Sequence, residues 1–301
     1  MYLIDHIQDK NPKGSYVILN NSNNTSQAKI FLNLGASLQN LILNKNVIIK
    51  DLYPLNYDTS YASAILFPFV NRVKDGAYTF MQKEYMLAIN LKKENNAIHG
   101  LVYNKEFKIV HQETTKESAI ISLAYVENER SIGFPFYYTL LLTYTLTNNT
   151  LTLKVKVKNT DTHPFPFNIG WHPYFMSSNL YESFLSFDSD QKLTFNEVMI
   201  PVKIKNIKME ESLQIKDRQF DDCYILNTNT IGFKTPDYSI KINSSSEKNF
   251  IQLFTPKLAN TIAIEPTTAV SNSFNNKIGL QVLEKDESYN VQWTINLQGN
   301  D

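Results

Sequence analysis

The segment TLTLKVKVK, residues 150–158, alternates strictly between polar and apolar side chains. Its leucines and valines fall on one face of an extended chain, and its threonines and lysines fall on the other. A period of two predicts a half-buried β-strand with one solvated face. The apolar-rich segment 138–146 precedes it, and only Asn148, Asn149 and flanking threonines lie between the two. Because Asn tolerates turn conformations, this arrangement predicts a β-hairpin.

The rest of the chain extends this pattern. Five residues share one face near the C-terminus, namely Tyr289, Val291, Trp293, Ile295 and Leu297. Further strands are predicted at residues 15–19, 28–32, 37–43, 78–81, 107–112, 119–125, 238–243, 250–254 and 261–264. Only residues 58–66 fit a short helix, and residues 244–249 are expected to form a hairpin loop. Many short strands with very little helix predict an all-β sandwich or barrel, and the absence of a strong linker predicts one domain over residues 1–301.

Bulk composition narrows the function classes. The chain has 29 basic and 29 acidic residues, which argues against nucleic acid or an anionic membrane as the main partner. Hydrophobic residues make up 43%, enough for a sizeable core. The single cysteine, Cys223, excludes an intrachain disulfide and indicates a reducing compartment. We see neither a signal peptide nor an apolar run long enough for a membrane helix, so a cytoplasmic protein is expected.

Two histidines stand in settings that suit a binding site. His99 precedes Gly100, which permits close backbone approach to a ligand. His172 lies between Trp171 and Pro173, and the proline favours an extended conformation for His172. The simpler interpretation is structural in each case, a turn histidine for His99 and a buried aromatic cluster around His172.

Carboxylates and one arginine complete the candidate set. Asp221 and Asp222 are adjacent, so on a strand only one of them faces a given site. Glu265 follows an apolar run, where an unpaired carboxylate is costly to bury. Arg72 is one of three arginines in the chain, and its planar fork suits paired hydroxyls. The structural alternatives are a solvated turn, a strand-end charge and a surface ion pair.

Taken in order, five segments resemble the aldose 1-epimerase (galactose mutarotase) family in a divergent, mostly bacterial form. They are Phe67-Pro68-Phe69-Val70-Asn71-Arg72-Val73, Asn96-Ala97-Ile98-His99-Gly100, Asn168-Ile169-Gly170-Trp171-His172-Pro173-Tyr174-Phe175, Asp221-Asp222-Cys223-Tyr224 and Ile264-Glu265-Pro266-Thr267-Thr268. Three positions depart from the better-known galactose mutarotases: Trp171 replaces Asn or Thr, Asp222 replaces His, and Pro266 replaces Thr. These departures leave the preferred sugar open.

The resemblance implies a large antiparallel β-sandwich of the galactose mutarotase type and an isomerase that interconverts the α and β anomers of a free hexose such as glucose or galactose. It implies Glu265 as base, His172 as acid and His99 as a support for the ring oxygen or a neighbouring hydroxyl, with Arg72 and Asp221 binding the other hydroxyls. Asn71 is a further candidate for sugar binding. Trp171 could stack on a sugar face, although a core role is the simpler interpretation of that residue. It implies no cofactor and no metal, and leaves a monomer or a homodimer possible. We expect Glu265 and His172 to flank one pyranose from opposite sides. We also expect nearby carboxylates to raise the pKa of His172, and burial to raise that of Glu265.

Three alternatives stay open from the residues. The chain could be a non-catalytic carbohydrate-binding protein on the same scaffold, since fold does not fix function. It could be a metal enzyme that uses His99, His172 and a carboxylate. It could act on a hexose 6-phosphate, although phosphate sites usually recruit clusters of arginine or lysine.

Overall fold

The computed structural model describes residues 1–8 and 14–299, and the regular secondary structure of this part of the chain is almost entirely β-strand. Its strands are, in chain order, β1 Tyr2–Ile7, β2 Tyr16–Asn21, β3 Gln27–Phe31, β4 Ser37–Leu43, β5 Asn46–Ile49, β6 Ile65–Leu66, β7 Arg72–Lys74, β8 Ala77–Phe80, β9 Lys83–Met86, β10 Asn96–Ile98, β11 Lys108–Thr114, β12 Ala119–Glu127, β13 Tyr138–Leu146, β14 Thr150–Asn159, β15 Phe165–Phe167, β16 Gly170–Trp171, β17 Tyr174–Met176, β18 Phe184–Phe187, β19 Gln191–Phe195, β20 Pro201–Asn206, β21 Leu213–Gln214, β22 Asp221–Ile225, β23 Thr230–Lys234, β24 Ser239–Ser244, β25 Phe250–Phe254, β26 Thr261–Thr267, β27 Gln281–Leu283 and β28 Ser288–Leu297. Helix is confined, in the described residues, to α1 Tyr57–Ser60, α2 Ser273–Asn276 and a 3₁₀ turn at Leu180–Glu182. None of these helices is long and apolar enough to cross a membrane.

The strands form two large antiparallel sheets and several smaller ones. The nine-stranded sheet has the order β11-β12-β13-β14-β28-β24-β23-β18-β21. The eight-stranded sheet has the order β20-β19-β22-β25-β26-β16-β6, with β17 also paired to β26. A five-stranded meander runs from β1 to β5, and three two-stranded ladders pair β7 with β10, β8 with β9, and β15 with β27.

The two large sheets pack face to face over a common hydrophobic core. Trp171 of the eight-stranded sheet stacks on Trp293 of the nine-stranded sheet, with ring centroids 6.4 Å apart. Phe175 and Phe233 meet across the same interface at 6.2 Å. The meander joins this core, since the Tyr144 hydroxyl donates to the carbonyl of Ala36. The expected large antiparallel β-sandwich is therefore confirmed.

Of three local predictions, one is confirmed and two are wrong. The hairpin at Asn148 and Asn149 is confirmed, because Leu146 pairs with Leu151 across the turn. Residues 58–66 are not one helix, since α1 ends at Ser60 and a strand begins at Ile65. The hairpin expected at residues 244–249 is wrong, because β24 belongs to the nine-stranded sheet and β25 to the eight-stranded one. That connection crosses between sheets.

The alternation along β26 sets up the site. Ile262 and Ile264 face the core between the sheets, whereas Ala263 and Glu265 face the opposite side. The strand runs on to Thr267 and does not stop at Ile264 as expected, so Glu265 lies inside a central strand and is almost fully buried.

Candidate active site

One cavity on the outer face of the eight-stranded sheet collects most of the candidate residues. Six of the seven side chains proposed from the sequence line it, namely Asn71, Arg72, His99, His172, Asp221 and Glu265. The cavity has a volume of about 190 Å³. Segments separated by almost two hundred positions thus meet in one small polar chamber.

His172 and Glu265 are in direct contact within this chamber. His172 Nε2 lies 3.5 Å from Glu265 Oε1, and the side chains are only 5% and 3% exposed. They lie side by side, which corrects the expectation that they face each other across a sugar ring. Side-by-side placement suits groups that exchange protons with two oxygens bonded to the same carbon.

The local backbone holds the imidazoles in an aromatic cluster. The rings of His99 and His172 meet edge to face at 4.9 Å, and Tyr174 stacks on His172 at 5.0 Å. His99 has a φ of 61°, and its N–H donates to the carbonyl of Asn71. The next residue must be glycine, since a Cβ on Gly100 would lie 2.2 Å from a backbone oxygen.

Asp221 and Asp222 have separate environments, as the alternation along β22 requires. Asp221 lines the cavity and accepts a hydrogen bond from Gln252 Nε2 at 2.8 Å. Asp222 instead pairs with Lys192 at 2.7 Å. Gln252 lies opposite Glu265 in the β25–β26 ladder, so the polar row crosses three adjacent strands.

Arg72 is held by two oxygen acceptors at the cavity wall. Its Nε donates to Glu94 Oε2 at 2.7 Å, and its Nη1 donates to Asn71 Oδ1 at 3.0 Å. The Arg72 side chain is 12% exposed and that of Glu94 is 25% exposed. The guanidinium is therefore positioned before any ligand arrives.

Comparison with known proteins places this geometry in a family. The family model described as aldose 1-epimerase matches residues 16–296, nearly the whole chain. This chain belongs to the aldose 1-epimerase family. The relative named "Uncharacterized protein YihR" from Escherichia coli (strain K12) is 24% identical over 276 residues, covering 87% of each protein.

Two solved structures illustrate the likeness in fold. A galactose mutarotase-like protein from Clostridium acetobutylicum has a TM-score of 0.86 at 17% identity and covers 99% of both chains. Galactose 1-epimerase from Lactobacillus acidophilus NCFM has a TM-score of 0.82 at 17% identity, covering 100% of this chain and 99% of that one. At this identity the likeness shows a shared fold.

Burial dominates the electrostatics of this aldose 1-epimerase family site. It lowers the pKa of His172 to about 4, against the expectation that nearby carboxylates would raise it. Burial, followed by the charge of Asp221, raises the pKa of Glu265 well above its ordinary value. Burial also raises the pKa of Asp221 and lowers that of His99 well below its usual range. Removal from water disfavours each charged form, and the neighbouring charges do not reverse this.

Trp171 is the candidate that the structure does not bring to the cavity. Its ring is fully buried against Trp293 in the core between the sheets. Because Trp171 directly precedes His172 along an extended segment, the two side chains point to opposite faces. Trp171 therefore stabilises the sandwich, and we do not retain it as a sugar-binding residue.

Several lining residues were not singled out from the sequence. They are Thr59, Ser60, Tyr61, Leu91, Ile98, Tyr174, Gln252 and Phe254. Gln252 could have been identified from the sequence, since it is the one polar residue in the buried strand Phe250–Phe254. Glu94 could not have been identified in this way, because no sequence pattern links a glutamate in a surface turn to Arg72.

Proposed function

We propose that this protein is an aldose 1-epimerase that interconverts the α and β anomers of a free hexose such as glucose or galactose. The observation that carries the proposal is the buried contact between His172 Nε2 and Glu265 Oε1 inside a cavity lined by hydroxyl-binding groups. A protein that only bound sugar would need the hydroxyl partners but not an adjacent acid and base.

In the proposed reaction, the carboxylate of Glu265 takes the proton of the C1 hydroxyl. The C1–O5 bond breaks as protonated His172 gives its proton to the ring oxygen. The open aldehyde turns about C1–C2, and closure on the other face returns both protons. Each proton transfer of this kind typically contributes about 10²–10⁴-fold.

The pKa shifts fit this sequence of states. Ring opening converts a charged His172–Glu265 pair into neutral His172 and protonated Glu265 without changing the number of protons on the pair. Burial favours that neutral arrangement, so the enclosed site stabilises the open-chain stage relative to the starting charges. Sugar hydroxyls that hydrogen-bond to the pair offset the cost of the charged form.

The other polar residues would hold the sugar. We assign Asp221, Arg72 and Asn71 to the hydroxyls away from C1, and His99 to the ring oxygen or its neighbour. Burial lowers the pKa of His99, so it acts as a neutral hydrogen-bonding group. One core cluster includes residues from Tyr2 to Ile295, and we therefore propose that residues 1–301 act as one domain.

The cavity favours a neutral sugar over a phosphorylated one. Among its described lining residues, Arg72 is the one arginine or lysine, whereas Asp221 and Glu265 supply two carboxyl groups. A phosphate group would find little compensating charge there. The metal alternative also lacks geometric support, since no described set of three His, Cys, Asp or Glu side chains could hold an ion.

Polarimetry decides between these functions. Freshly dissolved α-glucose and α-galactose should reach their equilibrium rotation faster with the protein than in buffer alone, and exhaustive chelation should leave the rate unchanged. Binding without acceleration would favour the non-catalytic alternative. A faster reaction with glucose 6-phosphate than with glucose would favour the phosphorylated substrate.

A further inference from the structure

The ion pair between Arg72 and Glu94 lies at the wall of the proposed sugar site, but neither proton transfer uses it. Arg72 is the one cationic arginine or lysine that lines the cavity within the described residues. It would be the natural partner for an acidic group on a ligand, because a guanidinium fork matches a carboxylate or phosphate.

Two acceptors already occupy part of that fork. Glu94 Oε2 accepts from Nε at 2.7 Å, and Asn71 Oδ1 accepts from Nη1 at 3.0 Å. Glu94 therefore compensates the charge of Arg72 and fills one edge of the guanidinium. The remaining N–H groups can still donate to neutral hydroxyls.

The backbone fixes Glu94 beside Arg72. Glu94 lies in the turn between Leu91 and Asn96, which form an isolated bridge. This turn leads into β10, whose antiparallel partner β7 begins at Arg72. Asn95 Nδ2 donates to Asp75 Oδ1 at 2.8 Å and ties the turn to the end of β7. Since the Arg72 side chain is only 12% exposed, solvent screens the pair weakly.

We propose that Glu94 is a specificity-determining residue that makes the site reject acidic aldoses. The His172–Glu265 pair carries one proton and no net charge, so once the Arg72 charge is compensated, Asp221 is the remaining acidic group among the described residues that face the cavity. An aldose carrying a carboxylate or phosphate then meets repulsion without a free cation, whereas a neutral hexose meets only hydrogen-bonding groups. Rejection by unfavourable charge is a common route to specificity. This inference rests on the proposed function, because it takes the cavity as a sugar site.

The variant Glu94→Gln tests the role of the charge. Glutamine has nearly the same shape and its Oε1 can still accept from Arg72 Nε, so the guanidinium stays in place while its charge is no longer compensated. Two controls accompany it. Glu94→Asp keeps the charge, and Glu84→Gln removes an equal charge from the exposed strand β9.

Affinities should be measured by calorimetry for two matched pairs, galactose with galacturonate and glucose with glucuronate. Each pair differs only at C6. We expect Glu94→Gln to lower the ratio of acidic to neutral dissociation constants roughly tenfold at low salt. Glu94→Asp and Glu84→Gln should keep the wild-type ratio.

Three outcomes would overturn the inference. The ratio could be unchanged in Glu94→Gln, it could change equally in Glu84→Gln, or Glu94→Gln could bind neither sugar acid. The proposed function is judged separately by wild-type polarimetry with neutral sugars. A failure there leaves the measured ratio intact, so the two claims can fail independently.

Discussion

The two faces of the eight-stranded sheet use the same strands for opposite purposes. Ile264 and Trp171 face the sandwich core, whereas their neighbours Glu265 and His172 face the cavity. Both faces are buried, but only the inner one consists of apolar side chains packed against a second sheet. The outer one encloses ionisable groups whose charged forms are destabilised by burial. Burial alone therefore does not separate core from site, since the two faces differ in the chemistry of their buried side chains, which are apolar on the inner face and ionisable on the outer one.

The largest expected effect is on catalytic activity, which should depend on the outer face of the sheet and not on the inner one. Glu265→Gln keeps the shape of the side chain but removes the proposed base, so kcat for anomer interconversion should fall about 10³-fold. The neighbouring change Ile264→Val, on the core face, should leave kcat close to wild type. Polarimetry of both variants checks this pair, and near-normal turnover in Glu265→Gln would refute the assignment of the base.

The second effect is on stability, which should depend on the inner face of the sheet. Trp171→Phe leaves a gap beside Trp293 and should lower the free energy of unfolding by about 1–3 kcal/mol, as measured by urea denaturation. The Michaelis constant should not change, because the ring does not reach the cavity. A raised Michaelis constant with unchanged stability would restore Trp171 to the sugar site.

A smaller effect should distinguish the adjacent aspartates. Asp221→Asn should weaken the contact that we propose between this carboxyl group and a sugar hydroxyl, so the Michaelis constant should rise roughly tenfold. Asp222→Asn is the matched control, since Asp222 pairs with Lys192 away from the cavity. Equal effects of the two changes on the Michaelis constant would contradict the placement of Asp221 at the sugar.

The smallest effect concerns the free-energy cost of burying the ionised form of Glu265. Folding raises the pKa of Glu265, so its contribution to stability is present at low pH and is lost as the pH rises through the folded-state pKa. Glu265→Gln removes this loss and should be more stable than wild type by about 1 kcal/mol at pH 8. The difference should shrink at pH 4. Thermal unfolding of both proteins at the two pH values measures this difference. If the variant gains less stability over wild type at pH 8 than at pH 4, the sign we infer is wrong.

Part of the sandwich could be predicted from local alternation. The hairpin between β13 and β14 follows from residues near one another in the chain. The connection from Ser244 to Phe250 could not be predicted in the same way, since a polar turn has the same composition whether or not the strands it joins are paired. Sheet partnership depends on contacts between distant segments, which one sequence does not display.

The candidate site, like the sandwich, could be predicted from the sequence only in part. Residue types and order led to His99, His172, Asp221 and Glu265, all of which line one cavity. The pKa of His172 could not be predicted, because the depth of burial is a property of the folded chain. The core position of Trp171 agrees with the simpler interpretation of the sequence, since adjacent residues on an extended segment cannot both face one cavity.

The pH dependence of anomer exchange tests the central claim most directly, namely that a buried His172–Glu265 pair carrying one proton catalyses the reaction. Magnetisation transfer between the α and β anomeric protons of glucose or galactose gives kcat/KM at each pH. We expect a bell-shaped profile. Its acidic limb should report the lowered pKa of His172, about 4 in the sugar-free site, and its alkaline limb the raised pKa of Glu265. Exchange no faster than in buffer, or a protein-catalysed rate that does not change with pH across both limbs, would contradict the account.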